Sequence, residues 1–238
     1  MKAAGEIAGS ALKLVGEHIV PGISTFELDR IVGKYIKENN AVPSSLNYNG
    51  FPGNSCISVN DIVIHGIPSK DLILKSGDIV SIDVVVSYEG FHADTACTFP
   101  CGEISSKAKN LLDVTYNSLN KGIEKAVCGN RIGDISNAVQ TYVESRGCAV
   151  VRDYVGHGVG TDMHEDPCVP NFGKAHRGKV LEDGLTIAIE PMIIFGDDYS
   201  VEILDDGWTV VSVSGEPAAH FEHTVAVTED GPIVLTKV

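Results

Sequence analysis

The sequence lacks the features that mark membrane-spanning, secreted and nucleic-acid-binding proteins. It has no uninterrupted apolar stretch of about 18 residues, the length that a membrane-spanning helix needs. Glu6 comes early, before any apolar segment with a cleavage site, so no secretory signal is predicted. Lys and Arg form no run, and the formal net charge is -14, which disfavours direct nucleic-acid binding. We therefore expect a soluble cytoplasmic protein with neither a nucleic acid nor a membrane as partner.

Paired cysteine motifs are also missing. The six cysteines are scattered along the chain without a Cys-x-x-Cys pair. This pattern is typical of reduced, mostly buried thiols in an intracellular protein, and it argues against a zinc knuckle or a disulfide framework. The cysteines are Cys56, Cys97, Cys101, Cys128, Cys148 and Cys168.

The length of the chain sets the number of domains that we expect. At 238 residues and 43% hydrophobic content, the chain is long enough for one sizeable core and short for two. We therefore expect residues 1–238 to form a single catalytic domain.

Apolar spacing and turn signals predict the order of helices and strands. A helix is predicted from the start to about Val20, where Pro21-Gly22 interrupts it, and Ser24 and Glu27 form the pattern of a capping box. The remaining predicted elements are a helix from this box toward Asn39, strands at Cys56 to Val59, Ile62 to His65 and Ile79 to Val86, and helices from Lys107 to Ala126 and through Val143.

The second half of the chain repeats the pattern of the first. A shift of 107 positions aligns residues in two separate segments, which indicates two related αβ halves, about 1–105 and 106–238. The aligned pairs are Gly22 with Gly129, Glu27 with Asp134, Leu28 with Ile135, Val32 with Val139, Tyr35 with Tyr142, Gly77 with Gly184, Ile79 with Thr186, Val80 with Ile187, Ile82 with Ile189 and Asp83 with Glu190. Asp83 and Glu190 are therefore predicted to face each other across a pseudo-two-fold axis.

Two aspartates occupy strand-like surroundings in the first half. Asp83 lies within a β-branched run, and a buried carboxylate is costly unless it is paired or binds a metal. If Glu89-Gly90 forms a two-residue hairpin turn, Asp83 lies opposite Ala96 and Asp94 is its diagonal neighbour on the same face. A three-residue turn would place the two aspartates on opposite faces, and two surface acids on an edge hairpin are the alternative without a function.

The second half adds two glutamates and two histidines. Glu190 and Glu222 are embedded in apolar runs, and four neighbouring carboxylates would repel one another unless cations held them. His157 lies in a Gly-rich segment, with His164 seven residues later; a lone histidine is more often a satisfied core residue, but the nearby acids favour a metal site. Oxygen ligands with one imidazole suit Mn, Fe, Co or Zn, and such dinuclear sites perform metal-assisted hydrolysis.

Several motifs together resemble one protein family over nearly the whole chain. The sequence is similar to the type I methionine aminopeptidases, whose α+β "pita-bread" (creatinase/aminopeptidase) fold has two pseudo-symmetric αβ halves around a curved antiparallel sheet. The motifs that carry the resemblance are Cys56-Ile57-Ser58-Val59-Asn60, His65-Gly66-Ile67-Pro68, Ser81-Ile82-Asp83, Asp94-Thr95, Gly156-His157-Gly158-Val159-Gly160, His164-Glu165, Ile189-Glu190-Pro191-Met192 and Glu222-His223-Thr224.

The resemblance implies a role for each of these polar residues. Two divalent ions (Co, Mn, Fe or Zn) would be held by a set in which Asp94 and Glu222 bridge both: Asp83, Asp94, His157, Glu190 and Glu222. A metal-bound hydroxide would attack the first peptide bond of an N-terminal Met peptide or nascent chain with a small second residue, and Glu190 would act as the base. His164 would stabilise the oxyanion, and His65 would contact the scissile amide.

The same resemblance implies a pocket for the methionine side chain and a monomeric enzyme. The implied pocket residues are Tyr48, Phe51, Cys56 and Trp208. Trp208, the only tryptophan, could equally be a core aromatic. Ser45 and Met163 stand where some relatives carry cysteine and an aromatic, which predicts a different pocket shape.

The ends and spacings of the chain also bear on the type of enzyme. The chain starts about ten residues later than many relatives. It also carries no zinc-binding extension, as in bacterial forms. The spacing between His164 and Glu190 leaves no room for the helical insertion of type II enzymes.

Two other functions remain open from the sequence. A peptidase for Xaa-Pro bonds would use a similar ligand set, although such proteins usually carry an additional N-terminal domain. A binding module without catalysis is the second alternative, but all five predicted ligands and both catalytic histidines are present.

Overall fold

The computed structural model describes residues 1–237 and contains helices and antiparallel strands in alternating groups. The α-helices are α1 (Lys2–Gly16), α2 (Thr25–Glu38), α3 (Ser106–Ile123) and α4 (Ile132–Glu144). The strands are β1 (Val42–Pro43), β2 (Cys56–Val59), β3 (Ile62–Ile64), β4 (Ile79–Tyr88), β5 (Phe91–Pro100), β6 (Cys148–Val150), β7 (Gly156–Gly158), β8 (Glu165–Val169), β9 (Thr186–Ile189), β10 (Met192–Phe195), β11 (Val201–Ile203), β12 (Val210–Ser212), β13 (Ala218–His220), β14 (Glu222–Ala226) and β15 (Ile233–Val234).

The first two helices follow the signals in the sequence, with one correction. The Ser24 side chain accepts a hydrogen bond from the Glu27 backbone N–H at 3.2 Å, and the Glu27 side chain accepts one from the Ser24 backbone N–H, so the predicted capping box is confirmed. Helix α1 ends at Gly16, however, and not near Val20. After Gly16 the chain leaves the helix and forms turns, and the Gly22 N–H donates to the Leu74 carbonyl at 2.8 Å.

One large sheet joins the two halves of the chain. Its strand order is β1-β4-β5-β14-β9-β7-β8, with β2 paired to β4 and β15 paired to β14. All of these pairings are antiparallel. Strands β5 and β14 come from different halves and lie side by side, so the polar residues of both halves meet in the middle of the sheet.

Two chain segments cross between this large sheet and a smaller one. Strand β9 is followed directly by β10, and β13 is followed directly by β14. The large sheet contains β9 and β14, whereas β10 and β13 pair with each other in a three-stranded sheet with β6. Both segments therefore change sheets at adjacent points, with Glu190 and Pro191 at one crossing and Phe221 at the other.

Backbone hydrogen bonds show the relation between the halves. The Gly22 N–H donates to Leu74, and 107 positions later the Gly129 N–H donates to Leu181 at 3.0 Å. The isolated bridge between Ser24 and Ile73 likewise recurs between Arg131 and Val180. The same offset separates the start of β4 from the start of β9, so Asp83 within β4 and Glu190 directly after β9 occupy equivalent positions relative to these starts.

Each pair of helices covers its own apolar core. Helices α1 and α2 share one buried cluster with β4, which includes Leu28 and Ile82, and helices α3 and α4 share another with β9, which includes Ile135 and Ile187. Cys97 packs against both clusters. None of the helices described is long and apolar enough to cross a membrane.

Candidate metal centre

The β4–β5 hairpin places two aspartates on one face of the sheet. Glu89 and Gly90 form the turn with positive φ angles of 50° and 82°, as a two-residue hairpin loop of type I′ requires. Asp83 lies opposite Ala96, and Asp94 lies opposite Val85, so the two aspartates are diagonal neighbours. The two-residue turn predicted from the sequence is confirmed, and the alternative with three residues is wrong.

A row of directly opposed residues continues from the hairpin into the second half. Cys56 lies opposite Asp83, Asp83 opposite Ala96, and Ala96 opposite Glu222, on four neighbouring strands. Directly opposed residues share a face of the sheet. The small Ala96 side chain thus leaves space between two carboxylates, with Asp94 beside it.

Threonine hydroxyls fix the contact between β5 and β14. The Asp94 N–H donates to the Thr224 hydroxyl at 2.8 Å, and that hydroxyl donates to the Asp94 carbonyl at 2.8 Å. The Thr95 hydroxyl donates to the Glu222 carbonyl at 2.9 Å. Because these bonds hold the backbone of both acids, the carboxylates have little freedom to move apart.

His157 approaches the acids from β7 with a defined tautomer. Its Nδ1 lies 2.8 Å from the Gly158 carbonyl, which can only accept, so Nδ1 carries the proton and Nε2 is free to bind a metal. Nε2 lies 3.4 Å from Glu190 Oε1 and 3.8 Å from Asp94 Oδ2. The glycine before His157 is required because a Cβ on Gly156 would lie 2.3 Å from the Ala188 carbonyl oxygen.

The electrostatics of the cluster favour a bound cation. Burial, followed by the charges of neighbouring acids, raises the pKa of Asp94, Glu190 and Glu222 well above the usual range, and burial raises the pKa of Asp83 to about 6. Burial lowers the pKa of His157 to about 4, so the imidazole is neutral. The neutral imidazole of His157 thus gives the four crowded carboxyls no positively charged partner.

Unpaired oxygen atoms test whether this set of residues fits a metal. Asp83 Oδ1, Asp94 Oδ1 and Glu222 Oε1 are buried and have no hydrogen-bond partner among residues 1–237. Asp94, His157 and Glu222 each offer one ligand atom, and these three atoms lie within 4.8 Å of one another. Buried carboxylates of this kind are costly unless they bind a metal, so the residues fit a divalent ion.

A cavity of about 670 Å³ adjoins the acids. It brings together all eleven residues proposed from the sequence, which are Tyr48, Phe51, Cys56, His65, Asp83, Asp94, His157, His164, Glu190, Trp208 and Glu222. The Phe51 and Trp208 rings meet edge to face with centroids 5.2 Å apart. Trp208 therefore contributes to the cavity wall. Ser45 and Met163 also line the cavity, and both are buried.

His65 is held in an unusual backbone conformation at the cavity edge. Its φ is 57°, in the left-handed region that non-glycine residues rarely adopt. The next residue must be glycine because a Cβ on Gly66 would lie 2.2 Å from the Ile57 carbonyl oxygen. The His65 ring meets Tyr154 and Trp208 edge to face, and burial lowers its pKa to about 4. Backbone strain of this kind is frequent at functional sites.

His164 lies on the exposed side of the cavity. Its Nδ1 is 3.0 Å from the Tyr48 hydroxyl, and its ring centroid is 4.3 Å from that of His157. Burial, followed by the charge of His92, lowers the pKa of His164. If the Tyr48 hydroxyl donates to Nδ1, the His164 Nε2–H is free to donate to a ligand oxygen in the cavity.

Two residues at this site lie outside the set predicted from the sequence. Tyr154 lines the cavity beside His65, and no spacing in the sequence points to it. His220 lies behind the acids, with Nε2 3.8 Å from Glu190 Oε2 and 3.9 Å from Glu222 Oε2. Its position two residues before Glu222 in a strand-like run is a signal that could have found it, because such residues share a face.

Comparisons with known proteins give the family of the chain. Residues 1–229 match the model of metallopeptidase family M24. Methionine aminopeptidase 1 of Bacillus subtilis is 50% identical over 238 residues, which cover 100% of this chain and 95% of that protein. The methionine aminopeptidase of Clostridium perfringens is 52% identical over 236 residues, 99% of this chain and 94% of that protein.

Solved structures agree with these relatives. The crystal structure of methionine aminopeptidase from Thermotoga maritima has a TM-score of 0.98 and 44% identity, and the match covers 100% of this chain and 95% of that one. Prolidase from Pyrococcus furiosus has a TM-score of 0.76 and 24% identity, covering 100% of this chain and 62% of that one, which shows a shared fold.

Proposed function

Because the chain belongs to metallopeptidase family M24, we propose that the cluster of acids and histidines is the centre at which it removes N-terminal methionine. The chain is an aminopeptidase of the methionine aminopeptidase type, as the resemblance in the sequence predicted. The predicted pita-bread fold with two pseudo-symmetric halves is also confirmed. That residues 1–238 form one catalytic domain, with halves at about 1–105 and 106–238, stays a prediction.

The ligand assignment is part of the proposal. Divalent metal use follows from the family, and we propose two ions per chain held by Asp83, Asp94, His157, Glu190 and Glu222. Asp94 and Glu222 lie on the adjacent strands β5 and β14, which supports a shared role for them in this ligand set. Bound there, the ions would activate water and polarise the scissile carbonyl. Mn, Fe, Co and Zn all suit this donor set.

The substrate would enter with its first side chain in the apolar part of the cavity. Phe51, Cys56 and Trp208 form this part, and Tyr48 stands at its exposed side. An unbranched thioether side chain fits an aromatic-lined pocket well. The carboxylates at the base of the cavity would then lie beside the first peptide bond and the free amino group.

Three side chains would handle protons and charge during hydrolysis. Glu190, whose pKa is raised by burial and then by the charge of Asp83, would accept the proton of the attacking water and pass it to the leaving nitrogen. The His164 Nε2–H would donate to the carbonyl oxygen as negative charge develops on it. His65, neutral and fixed by its backbone, would orient the scissile amide.

The direct test is release of free methionine from a Met-Ala-Ser peptide. Metal-stripped protein is reconstituted with Mn, Co, Fe or Zn, and an Ala-Pro peptide is assayed in parallel. Metal-dependent cleavage of the Met peptide alone is expected. Cleavage of the Ala-Pro peptide alone would favour a prolyl peptidase, and no cleavage of either peptide would favour a binding module.

We further propose a cytoplasmic monomer that acts on nascent chains and binds neither nucleic acid nor membranes directly. The six free cysteines support a reducing compartment. The net charge of -14 is unfavourable for contact with a phosphate backbone. Light scattering after size-exclusion chromatography tests the monomer, and cell fractionation tests the location.

A further inference from the structure

A histidine outside the proposed ligand set lies directly behind the carboxylates. His220 ends β13, is 2% exposed and pairs with Met192 across the small sheet. Glu222 follows two residues later, after the crossing at Phe221. His220 does not line the cavity, so it approaches the carboxylates from outside the space proposed for the substrate.

The backbone of His220 is fixed from a neighbouring strand. Its N–H donates to the Thr98 hydroxyl at 2.8 Å, and the same hydroxyl donates to its carbonyl at 2.9 Å. This exchange repeats the arrangement of Thr224 with Asp94 on the same pair of segments. The backbone that carries the ring is thus held by the same kind of hydroxyl bonds as the backbone of Asp94.

The ring nitrogen of His220 faces two carboxylates without bonding to either. Nε2 lies 3.8 Å from Glu190 Oε2 and 3.9 Å from Glu222 Oε2, and it has no hydrogen-bond partner among the residues described. A buried polar group without a partner is costly. Carboxylates that hold a cation are ionised and can only accept, so a ring nitrogen that bonds to them must be the donor.

Each carboxylate oxygen of Glu190 faces a different imidazole. Oε1 faces His157 Nε2 at 3.4 Å, and Oε2 faces His220 Nε2 at 3.8 Å. The His157 Nε2 is free of a proton because Nδ1 donates to Gly158, so Oε1 and His157 both point lone pairs toward the centre. A donor on the other side of Glu190 would hold Oε2 and keep Oε1 directed at the ion.

We propose that His220 is a positioning residue of the metal centre, whose Nε2–H donates to Glu190 or Glu222 once a cation orders these carboxylates. The inference rests on the proposed function, because it assumes that the acids hold divalent ions. Hydrogen bonds from beyond the ligands typically change metal affinity by about 10–100-fold. His220 would supply this kind of support where two acids from different strands meet.

Metal affinity of the full chain tests the proposal without an activity assay. Metal-stripped wild type, His220→Leu, His220→Gln and His223→Gln are titrated with Mn²⁺ by calorimetry. The Leu variant removes the donor at similar volume and should bind Mn²⁺ about 10–100-fold more weakly. The Gln variant keeps a donor near the Nε2 position and should bind within a few-fold of wild type.

His223→Gln is the matched control. His223 lies next to Glu222, is also well enclosed, and its Nδ1 lies 2.8 Å from the Thr236 hydroxyl, away from the carboxylates. Its replacement disturbs the same segment but should leave the affinity for Mn²⁺ unchanged. An affinity loss in His223→Gln equal to that in His220→Leu would mean a general structural effect and would overturn the proposal.

Other outcomes are equally decisive. Wild-type affinity in His220→Leu, or a Gln variant as weak as the Leu variant, overturns the role of the donor. The visible spectrum of the Co²⁺-loaded Gln variant should match that of the wild type; a changed spectrum would make His220 a ligand and overturn a positioning role. Failure of the wild type itself to bind Mn²⁺ would overturn the proposed function together with this inference.

Discussion

The two halves of the molecule supply their acids in different ways. In the first half, Asp83 and Asp94 lie on one continuous hairpin, and a tight turn sets their alignment. In the second half, Glu190 directly follows β9 and Glu222 begins β14, and the sheet crossings and a long stretch of chain separate the two. The two halves therefore share the path of the backbone. A local turn positions the two aspartates of the first half, whereas long-range strand pairing positions the two glutamates of the second.

This difference has a physical consequence for how each side is held. The hairpin needs only its turn and the ladder between two adjacent strands. The strands of the second half are attached to β5 by further hydroxyl bonds, two from Thr95 and Thr98 on β5 and one from Thr224 on β14. Substitutions in the two halves should therefore range in effect from the central acids, whose loss costs most, to the helix caps, whose loss costs least.

Removal of Asp94 from the first half or of Glu222 from the second should lower activity by the same large factor. Glu222→Ala and Asp94→Ala should each lower kcat/KM by roughly 10³-fold or more, because polarisation by a metal is worth several kcal/mol and each ~1.4 kcal/mol is tenfold. Metal content by mass spectrometry and methionine release measure the effect. Near-normal turnover of either variant with two ions bound would show that the halves do not contribute equally.

Loss of His164, the proposed oxyanion donor, should separate chemistry from metal binding. His164→Ala should lower kcat by about 10²-fold or more, because an oxyanion donor is lost, while metal content stays unchanged. His176→Ala is the control, since His176 lies on the surface of the same half. A loss of metal in His164→Ala would mean that its role has been assigned wrongly.

The stability of the metal-free protein should depend on pH because of Asp83. Its pKa of about 6 in the fold exceeds the ordinary value of 3.8, so its ionisation opposes folding above pH 6 and has no effect below about pH 4. In the presence of a chelator, Asp83→Asn should be more stable than wild type at pH 7, and the difference should shrink as pH falls from 6 to 4.

Urea unfolding at several pH values measures this difference. Added Mn²⁺ should reverse the order at pH 7, because the wild type then gains a ligand that Asn replaces poorly. A difference that does not depend on pH would contradict the raised pKa of Asp83.

The smallest effect should come from the equivalent helix starts. Ser24→Ala should lower the free energy of unfolding by about 1 kcal/mol, because the Ser24 side chain caps α2. Arg131, its counterpart before α4, has no acceptor on its side chain, so Arg131→Ala should cost less through the cap itself. Thermal or urea unfolding compares the two, and equal losses would show that the side-chain cap contributes little.

The features that follow local rules could be predicted from the sequence. Turn chemistry at Glu89-Gly90 fixed the alignment of Asp83 with Ala96, and the Ser24 box fixed the start of α2. The end of α1 could not be placed correctly, because apolar spacing continues past Gly16 while a tertiary contact of Gly22 sets the turn.

The parts of the site that depend on distant strands were harder to predict. Glu190 and Glu222 were recognised as embedded acids, but their contact with the hairpin depends on the pairing of β5 with β14. The spacing of His220 from Glu222 is visible in the sequence, but its approach to Glu190 arises only in the folded chain. Tyr154 approaches His65 from a loop that carries no periodic signal.

The paired sheet crossings limit where this chain can change in length. Side chains alternate between faces along a strand, so one residue gained or lost between the start of β9 and the end of β10 would turn Glu190 away from the centre or displace Met192 from His220. The same holds from β13 to β14. Insertions and deletions should therefore be confined to connections outside these crossings, such as residues 196–200, and a library of single-residue deletions would show two short intolerant windows that coincide with the floor of the site.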